Sequence, residues 1–294
     1  MDTLQTVAAM QAEADAARAA GRRLALVPTM GALHDGHLAL VADARDRADH
    51  VTVSVFVNPT QFGPGEDFDA YPRTLDADRE ALERAGGVDV LFAPSAPEMY
   101  PFGLPPKTTV SVADLDRHLC GPHRPGHFEG VATVVSKLLL ACRPHAAVFG
   151  EKDAQQLAVL RRMVTELGFG IEVVGHPVVR EADGLALSSR NRYLSADERA
   201  QATVLHQALV AAEAAVERGE RSGPVLEALL RREIEAAPLA RVQYARVVDA
   251  GTLQPADTLG RGGARDGRYL AALAVFFGDT RLIDNTTLCV GEGG

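Results

Sequence analysis

The sequence predicts an α/β protein: a Rossmann-like, doubly wound parallel sheet followed by a smaller C-terminal α+β domain. Up to about residue 175, short apolar segments alternate with amphipathic ones, which is typical of a parallel sheet with crossover helices. Beyond about residue 180 this alternation stops, and an Ala-rich helix and three further strand patterns follow. The chain has 294 residues. Single hydrophobic cores stop growing near about 250 to 300 residues, so two domains are expected.

The first domain is predicted to span residues 1–179. Its N-terminal residues mix acidic side chains into a helical period, which indicates a surface helix. Strands are predicted at 24–27, 51–57, 88–92, 108–112, 146–149 and 171–174. Helices are predicted at 37–48, 76–85, 131–141 and 154–167. In such a fold, ligands bind at the carboxyl ends of the strands.

The second domain, 180–294, is predicted from a change in pattern. Ser195 and Glu198 form a capping box, in which each side chain satisfies a backbone donor at the start of a helix. An Ala-rich helix follows at about 200–215, and its composition suits a partly exposed helix. A further helix is predicted at 224–237, with strands at 242–248, 270–277 and 281–284.

Composition and charge restrict the class of protein. The formal net charge of −9 argues against a nucleic-acid partner, because neutralising phosphates requires clustered lysines and arginines. No apolar run approaches the roughly 18 to 20 residues of a membrane helix, so no membrane partner is expected. Cys120, Cys142 and Cys289 are far apart and odd in number, which indicates a reducing compartment. We therefore expect a cytoplasmic protein.

The most informative segment is LALVPTMGALHDGHLALV (24–41), an apolar strand that runs through a turn into a helix. Gly31 and Gly36 let the backbone approach a ligand closely, while His34 and His37 can donate to phosphate oxygens at the positive end of the helix. A lone H-x-x-H is a pair of surface histidines in about nine cases of ten. Here the strand, turn, glycines and histidines occur together, which favours a polyphosphate site.

The segment VFVNPTQF (55–62) closes the next predicted strand. Asn58, Gln61 and Phe62 are therefore expected at the same edge of the sheet as the first turn. Their amide and aromatic groups suit a small organic substrate beside the phosphates.

The segment VFGEKDAQQ (148–156) ends a later strand and starts a helix. Gly150 permits a tight turn, Lys152 supplies a mobile cation, and Asp153 can hold a divalent metal that bridges phosphates. Gln156 is then expected to face the pocket. The alternative interpretation of G-E-K-D is a capped helix start with an exposed ion pair.

A fourth segment, EADGLALSSRN (181–191), lies at the predicted domain boundary. Ser188, Ser189 and Arg190 are good phosphate donors. As a lone string the segment is more often a turn than a site. Its position, where a second domain can close over the first, favours a functional role.

Six motifs, in order along most of the chain, resemble the pantoate-β-alanine ligase (pantothenate synthetase) family. This family belongs to the nucleotidyltransferase superfamily with HIGH and KMSKS-like motifs. The matching motifs are PTMGALHDGHL, VNPTQF, RPGHFEGVATVVSKL, GEKDAQQ, READGLALSSRNRYLS and TRLIDN. Two positions depart from the family pattern: Ala154 stands where an aromatic residue is usual, and Leu187 stands where methionine is usual.

The resemblance implies an ATP-dependent condensation of (R)-pantoate with β-alanine to pantothenate. The reaction runs through pantoyl adenylate and releases AMP and pyrophosphate. It gives the catalytic role to His37, and we add His34, Lys152 and Arg190 as sources of charge and hydrogen bonds for the phosphates. The ATP-binding residues that it implies are Met30, Gly31, Ala32, Leu33, His34, Asp35, Gly36, His37, Gly150, Glu151, Lys152, Asp153, Val179, Leu187, Ser188, Ser189 and Arg190.

The resemblance also implies the acid-binding residues. Gln61 and Gln156 match pantoate ligands, and Gln61 also matches a position near β-alanine. Around them, Asn58 is a further expected contact, and Pro28, Met30 and Phe62 are expected to form an apolar wall. The family further implies Mg²⁺, with Asp153 as the expected ligand, a homodimer, and a C-terminal domain that acts as a lid.

Three alternatives stay open from the sequence. One is a nucleotidyltransferase of the same superfamily that makes no amide, against which the pair Gln61 and Gln156 speaks. Another is an ATP-binding protein without turnover. The third concerns the segment DRHLCGPHRPGHF, in which Cys120, His123 and His127, with His118 nearby, have a spacing that suits zinc in about one case of ten.

Overall fold

The computed structural model describes residues 1–260 and 267–290. The chain forms two compact units, each with its own core. The division of domains predicted at residue 180 stays a prediction, and residues 261–266 and 291–294 of the predicted second domain lie outside the described residues. Unit 1 comprises Met1–Ala113, Arg124–Glu151 and Val159–Pro177, and unit 2 comprises Asp114–His123, Lys152–Ala158 and Val178–Gly294.

Unit 1 is built on a parallel sheet, as the sequence predicts. Among the described residues this sheet has six strands in the order β1-β4-β3-β2-β5-β6, and every neighbouring pair is parallel. The strands are β1 (Asp2–Leu4), β2 (Leu24–Thr29), β3 (His50–Val55), β4 (Val90–Phe92), β5 (Ala146–Gly150) and β6 (Glu172–His176). The edge strand β1 pairs with β4 and precedes the predicted N-terminal helix. Three residues are too few to show a strand period, so the sequence did not reveal it.

Helices cover both faces of the sheet. The helices are α1 (Val7–Ala19), α2 (Asp35–Arg47), α3 (Leu75–Ala85), α4 (Ala96–Met99), α5 (His127–Cys142) and α6 (Ala154–Glu166). One face buries alternate strand residues such as Ala25, Val27 and Val53 against Leu40 of α2 and Leu82 of α3. Helices α1 and α5 pack together and contact β2. Two covered faces explain why these strands read as continuous apolar runs.

The strand predicted at 108–112 is wrong, because this segment has no regular structure. The backbone N–H of Val110 donates to the Thr133 hydroxyl of α5 at 2.9 Å instead of joining a ladder. Thr108 and Thr109 are exposed, so the segment has no buried face. β-branched residues alone therefore misled the prediction.

Unit 2 contains an antiparallel sheet and a helical layer. In the part of the chain that is described, its sheet is three-stranded, in the order β7-β8-β9. Its strands are β7 (Ala240–Asp249), β8 (Arg268–Phe277) and β9 (Thr280–Cys289), and its helices are α7 (Ala196–Ala202), α8 (Val204–Glu217) and α9 (Gly223–Glu235). The predicted capping box of Ser195 and Glu198 is confirmed. The core packs Leu205 and Leu209 of α8 and Leu226 and Leu230 of α9 with the sheet.

Within residues 1–260 and 267–290, no helix is both long enough and apolar enough to cross a bilayer.

Candidate active site

The turn after β2 lies where the strand order of the sheet reverses. The chain proceeds from β2 to β3 on one side, and β5 lies on the other side of β2. The carboxyl ends of strands at such a point form the ligand crevice of open α/β sheets. Gly31 and Ala32 have φ values of 83° and 51°, so the backbone turns through the left-handed region. A Cβ on Gly31 would lie 2.9 Å from Oδ2 of Asp78, which explains the glycine.

Asp78 on α3 holds this turn in place. Its side chain is buried, with 2% of the residue exposed. Oδ2 accepts from the Ala32 N–H at 3.1 Å, and Oδ1 accepts from the Leu33 N–H at 2.7 Å. The Thr74 hydroxyl donates to Oδ2 at 3.3 Å. The amides of Ala32 and Leu33 are thus used within the protein. Sequence reasoning missed Asp78, which looks like any acidic residue in the first turn of a helix.

His34 and His37 form the capping box of α2. The backbone N–H of Gly36 donates to His34 Nδ1 at 3.2 Å, and the N–H of His34 donates to His37 Nδ1 at 3.3 Å. The two rings lie 4.1 Å apart between centroids. A neutral imidazole that accepts at Nδ1 carries its proton at Nε2. Both histidines are therefore fixed as Nε2–H donors at the positive end of the helix, beside the exposed Asp35.

The segment after β3 meets the turn after β2. Pro59–Gln61 form a short 3₁₀ helix, and Gln61 Nε2 lies 3.0 Å from Met30 Sδ. The first two sequence motifs are thereby brought together, with Pro28 partly exposed in β2. Asn58 is buried, with 1% exposed, and donates through Nδ2 to Gln61 Oε1 at 3.1 Å. Its role as a substrate contact stays a prediction, whereas its bonds make it a support for Gln61.

Phe62 closes this side of the site as part of an aromatic cluster. Its ring packs edge-on against Phe68 at 5.3 Å and Tyr71 at 5.8 Å between centroids. Phe62 is partly exposed and Tyr71 is buried. Phe62, which is expected to form part of the apolar wall, is therefore held in place by packing against these two rings.

Arg124, just before α5, and His127, the first residue of α5, together fix the backbone of Gln61. His127 Nδ1 donates to the Gln61 carbonyl at 2.8 Å, and Arg124 Nη2 donates to the same oxygen at 3.4 Å. Arg124 also forms a bidentate pair with Glu66 at 2.7 and 2.6 Å. Burial alone would raise the pKa of Glu66, but the hydrogen bond and charge of Arg124 outweigh it and hold that pKa below its ordinary value. The sequence shows these residues but not their partners.

The zinc alternative has no support in the structure. Cys120 Sγ lies 3.2 Å from both Tyr244 Oη and Arg281 Nη2. Considering residues 1–260 and 267–290, no group of three or more His, Cys, Asp or Glu side chains is arranged to hold a metal ion. The three cysteines are free thiols.

The segment after β5 presents Lys152 in unit 2. Glu151–Asp153 form a 3₁₀ turn directly after Gly150, the last residue of β5. Asn285 of β9 donates through Nδ2 to the Lys152 carbonyl at 2.8 Å. Burial lowers the pKa of Lys152; Asp153 and Asp284 oppose this effect, and the positive charge of Arg190 adds to it. Lys152 is partly exposed, and a cation whose pKa is lowered in this way is stabilised when an anionic ligand binds beside it.

The segment that carries the serines is organised around ion pairs in unit 2. Arg180 forms a bidentate pair with the buried carboxylate of Asp284 at 2.7 and 3.0 Å. The Leu187 N–H donates to the Val179 carbonyl at 2.9 Å, so these two expected nucleotide contacts are adjacent. This pairing follows from the return of the chain at Gly184, whose φ is 94°.

Ser188 and Ser189 begin the next local element. Ser188 caps the 3₁₀ helix Ser189–Tyr193, where its Oγ accepts from the Arg190 N–H at 3.3 Å. Because that bond uses the oxygen as an acceptor, the hydroxyl proton of Ser188 can be donated to a ligand. Asn191 anchors the helix through bonds to Glu181 at 2.9 Å and the Ala186 carbonyl at 3.1 Å.

The adjacent glutamines at the start of α6 have different environments. Gln155 is buried, accepts from the Cys120 N–H at 2.8 Å and donates to the carbonyls of Leu115 and His118 at 2.7 and 2.8 Å. It therefore holds the segment that carries Cys120. Gln156 is partly exposed, and its role as a ligand of pantoate stays a prediction.

Comparisons with known proteins show the family to which the chain belongs. The family model described as pantoate-beta-alanine ligase matches residues 2–287. Pantothenate synthetase of Salinibacter ruber is 62% identical, over 97% of each chain. The crystal structure of pantothenate synthetase from Thermus thermophilus has a TM-score of 0.88 at 47% identity, covering 97% of this chain and 99% of that one. The pantoate-beta-alanine ligase of Francisella tularensis, complexed with beta-gamma ATP and beta-alanine, has a TM-score of 0.76 at 30% identity, covering 97% of each chain. The chain belongs to the pantoate-beta-alanine ligase family.

Proposed function

We propose that this member of the family joins (R)-pantoate to β-alanine through a pantoyl adenylate, using ATP and releasing AMP and pyrophosphate. The observation that carries the proposal is the pair of imidazoles capping α2, next to a turn that meets Gln61 at Met30. This arrangement offers phosphate donors and an amide for the acid at one edge of one sheet. The Francisella relative, solved with beta-gamma ATP and beta-alanine, supports the choice of ligands.

In the first step the carboxylate of pantoate attacks the α-phosphorus of ATP. An oxygen–phosphorus bond forms, and the bond to the bridging oxygen breaks, so pyrophosphate leaves with the electron pair. The carboxylate is ionised at neutral pH, so no protein nucleophile or general base is needed. The protein supplies in-line positioning and positive charge. We assign hydrogen-bond donation to the phosphates to His34 and His37, and the positive charge to Lys152 and Arg190.

The nucleotide is held by three segments. The proposed contacts are Met30–His37, Gly150–Asp153, and the group of Val179 and Leu187–Arg190. Val179 and Leu187 are joined by a backbone hydrogen bond. We propose that their side chains contact the nucleotide and that Ser188 and Ser189 donate hydroxyl hydrogen bonds to it. For pantoate, Gln61 and Gln156 supply the polar contacts, and Pro28, Met30 and Phe62 form the apolar wall.

Mg²⁺ fits Asp153 in this scheme. The residue lies exposed on the turn after β5, and Mg²⁺ with nucleotides is usually held by one or two carboxylates together with phosphate oxygens. When bound, the ion would neutralise the charge of the phosphates. Asp153 would hold it beside Lys152.

In the second step the neutral amine of β-alanine attacks the acyl carbon of the adenylate. The carbon–nitrogen bond forms, the bond to the phosphate oxygen breaks, AMP leaves, and the amine loses a proton to solvent. Water competes for the adenylate, so we assign residues 180–294 the role of a lid that excludes it. We further propose a homodimer in the cytoplasm.

The decisive experiment measures pyrophosphate and AMP with each substrate omitted in turn. Pyrophosphate release that requires pantoate, and AMP formation that requires both pantoate and β-alanine, would support the proposal. AMP formation without an amide product would favour a nucleotidyltransferase, and ATP binding without turnover would favour a non-catalytic protein. His37→Ala and Lys152→Ala should each lower pyrophosphate release by about 10² to 10³-fold, the usual effect of losing one transition-state donor. Near-normal release in both variants would contradict the residue assignment.

A further inference from the structure

The orientation of the Asn58 carboxamide is fixed by backbone groups. Asn58 Nδ2 lies 3.2 Å from the Gly130 carbonyl, which can only accept a hydrogen bond. Asn58 Oδ1 lies 3.4 Å from the Thr60 backbone N, which can only donate. Exchanging the two ends of the amide would place donor against donor and acceptor against acceptor. Only one orientation of Asn58 satisfies both partners.

This orientation determines which end of Gln61 faces the ligand. The Asn58 NH₂ group also contacts Gln61 at 3.1 Å, so the contacted atom of Gln61 must be its oxygen, Oε1. Gln61 Nε2 then points toward Met30 Sδ, 3.0 Å away. A thioether is a weak acceptor, so a carboxylate or hydroxyl oxygen can displace it.

Tyr100, directly after α4, bonds to the oxygen of the Asn58 carboxamide. The residue is buried, with 5% exposed, and its hydroxyl donates to Asn58 Oδ1 at 2.7 Å. The hydroxyl also lies 3.3 Å from Thr60 Oγ1. Burial raises the pKa of Tyr100, although the bond with Thr60 opposes it, so the phenol keeps its proton in the neutral range. Tyr100 was not singled out by the sequence, because it lies 42 residues from Asn58.

Helix α5 packs so closely on the Pro59–Gln61 3₁₀ helix that the Gly130 carbonyl cannot move away from Asn58. A Cβ on Gly130 would lie 2.3 Å from the Thr60 carbonyl oxygen, a backbone atom that cannot swing away. The Gly130 carbonyl is therefore held against Asn58 by close packing of α5 on the 3₁₀ helix. The Asn58 carboxamide is thus held between two groups: the rigid Gly130 carbonyl, which accepts from its NH₂ group, and the buried Tyr100 hydroxyl, which donates to its oxygen.

We infer that Tyr100 and Asn58 are positioning residues that present the NH₂ end of Gln61 to the acid substrate. The inference rests on the proposed function, in which Gln61 binds pantoate. It means that the site selects an oxygen acceptor, and not a donor, at this point of the acid.

The test compares Tyr100→Phe with the unmodified protein in the proposed steady-state assay. This change removes only the hydroxyl, so we expect about a fivefold to tenfold rise in the KM for pantoate, equivalent to one hydrogen bond of about 1 kcal/mol. The KM for ATP should stay within about twofold, because the hydroxyl contacts no part of the proposed nucleotide site. A matched control is Tyr269→Phe in unit 2, which removes a hydroxyl bonded to the Gly260 carbonyl at the same distance of 2.7 Å. The control should lower the melting temperature without changing the KM for pantoate.

A second variant tests the donor itself. Gln61→Glu keeps an oxygen for Asn58 but has no NH₂ group, so kcat/KM for pantoate should fall by about 10² to 10³-fold. If Gln61→Glu and Tyr100→Phe both keep the pantoate kinetics of the unmodified protein, the inference is overturned. Failure of the proposed function is a different result, because the unmodified protein would then form no AMP with pantoate and β-alanine.

Discussion

Replacing Asp78 with asparagine tests whether a buried carboxylate maintains the turn after β2. Asp78 accepts the N–H groups of Ala32 and Leu33 with separate oxygens, at 3.1 and 2.7 Å. Asparagine has nearly the same shape but one acceptor oxygen. One backbone N–H would keep a neutral partner, and the other would face an NH₂ group. The perturbation therefore acts on hydrogen bonding while leaving side-chain volume unchanged.

The expected magnitude follows from these two bonds. Hydrogen bonds to a charged group contribute about 1.5–3 kcal/mol each, and neutral ones contribute about half as much. Losing one bond and weakening the other costs about 2–4 kcal/mol, or about 30-fold to 1,000-fold in the population of the ordered turn. Because the turn leads into His34 and His37, we expect kcat/KM for ATP to fall by at least about 30-fold.

The assay is pyrophosphate release with ATP varied at saturating pantoate, alongside thermal denaturation of the same samples. Asp76→Asn is the matched control, since Asp76 lies exposed in the same first turn of α3. It should behave like the unmodified protein. If Asp78→Asn fails to fold, Thr74→Ala takes its place, because it removes only the third partner of Asp78. It should lower kcat/KM for ATP in the same direction but by less. A folded Asp78→Asn protein with unchanged kcat/KM for ATP would refute the reasoning.

Three other predictions concern packing and pH. Gly130→Ala places a Cβ 2.3 Å from the Thr60 carbonyl oxygen, so it should destabilise the fold by about 1–3 kcal/mol in urea denaturation and raise the KM for pantoate. The pKa of Lys152 is lowered from 10.5, so its ammonium group loses its proton at a lower pH than an ordinary lysine does. As pH rises through that lowered pKa, kcat/KM for ATP should decline. Lys152→Arg should abolish the decline within the measurable range, because arginine stays protonated. The pKa of Glu66 is depressed from 4.5 by Arg124, so this pair stabilises the fold above about pH 4.5, and the stabilisation is lost as pH falls through the lower folded value. Urea melts should show the difference between the unmodified protein and Glu66→Gln at neutral pH and its disappearance in acid; an unchanged difference would contradict the assignment.

Local signals in the sequence were sufficient for the main elements. The strand before Met30 and the helix that begins after His34 follow from apolar runs, a glycine turn and a change of period, all of which act within a few residues. The strand predicted at 108–112 is wrong because β-branched residues favour extended backbone but do not supply a neighbouring strand to pair with. The helix predicted at about 200–215 is two helices, α7 and α8, which are separated at Thr203 without a side-chain cap.

What the sequence determined by itself was the α/β class, the family resemblance, and the meeting at one sheet edge of the motifs that contain Met30 and Gln61. These depend on periodicity and on the rule that parallel strands end on the same side. Only the tertiary structure showed that Asp78 holds the turn after β2, 46 residues away from Ala32. It alone connected Tyr100 and Gly130 to the orientation of Gln61. Such bonds join distant segments through packing, and their partners have no fixed spacing along the chain that a sequence pattern can reveal.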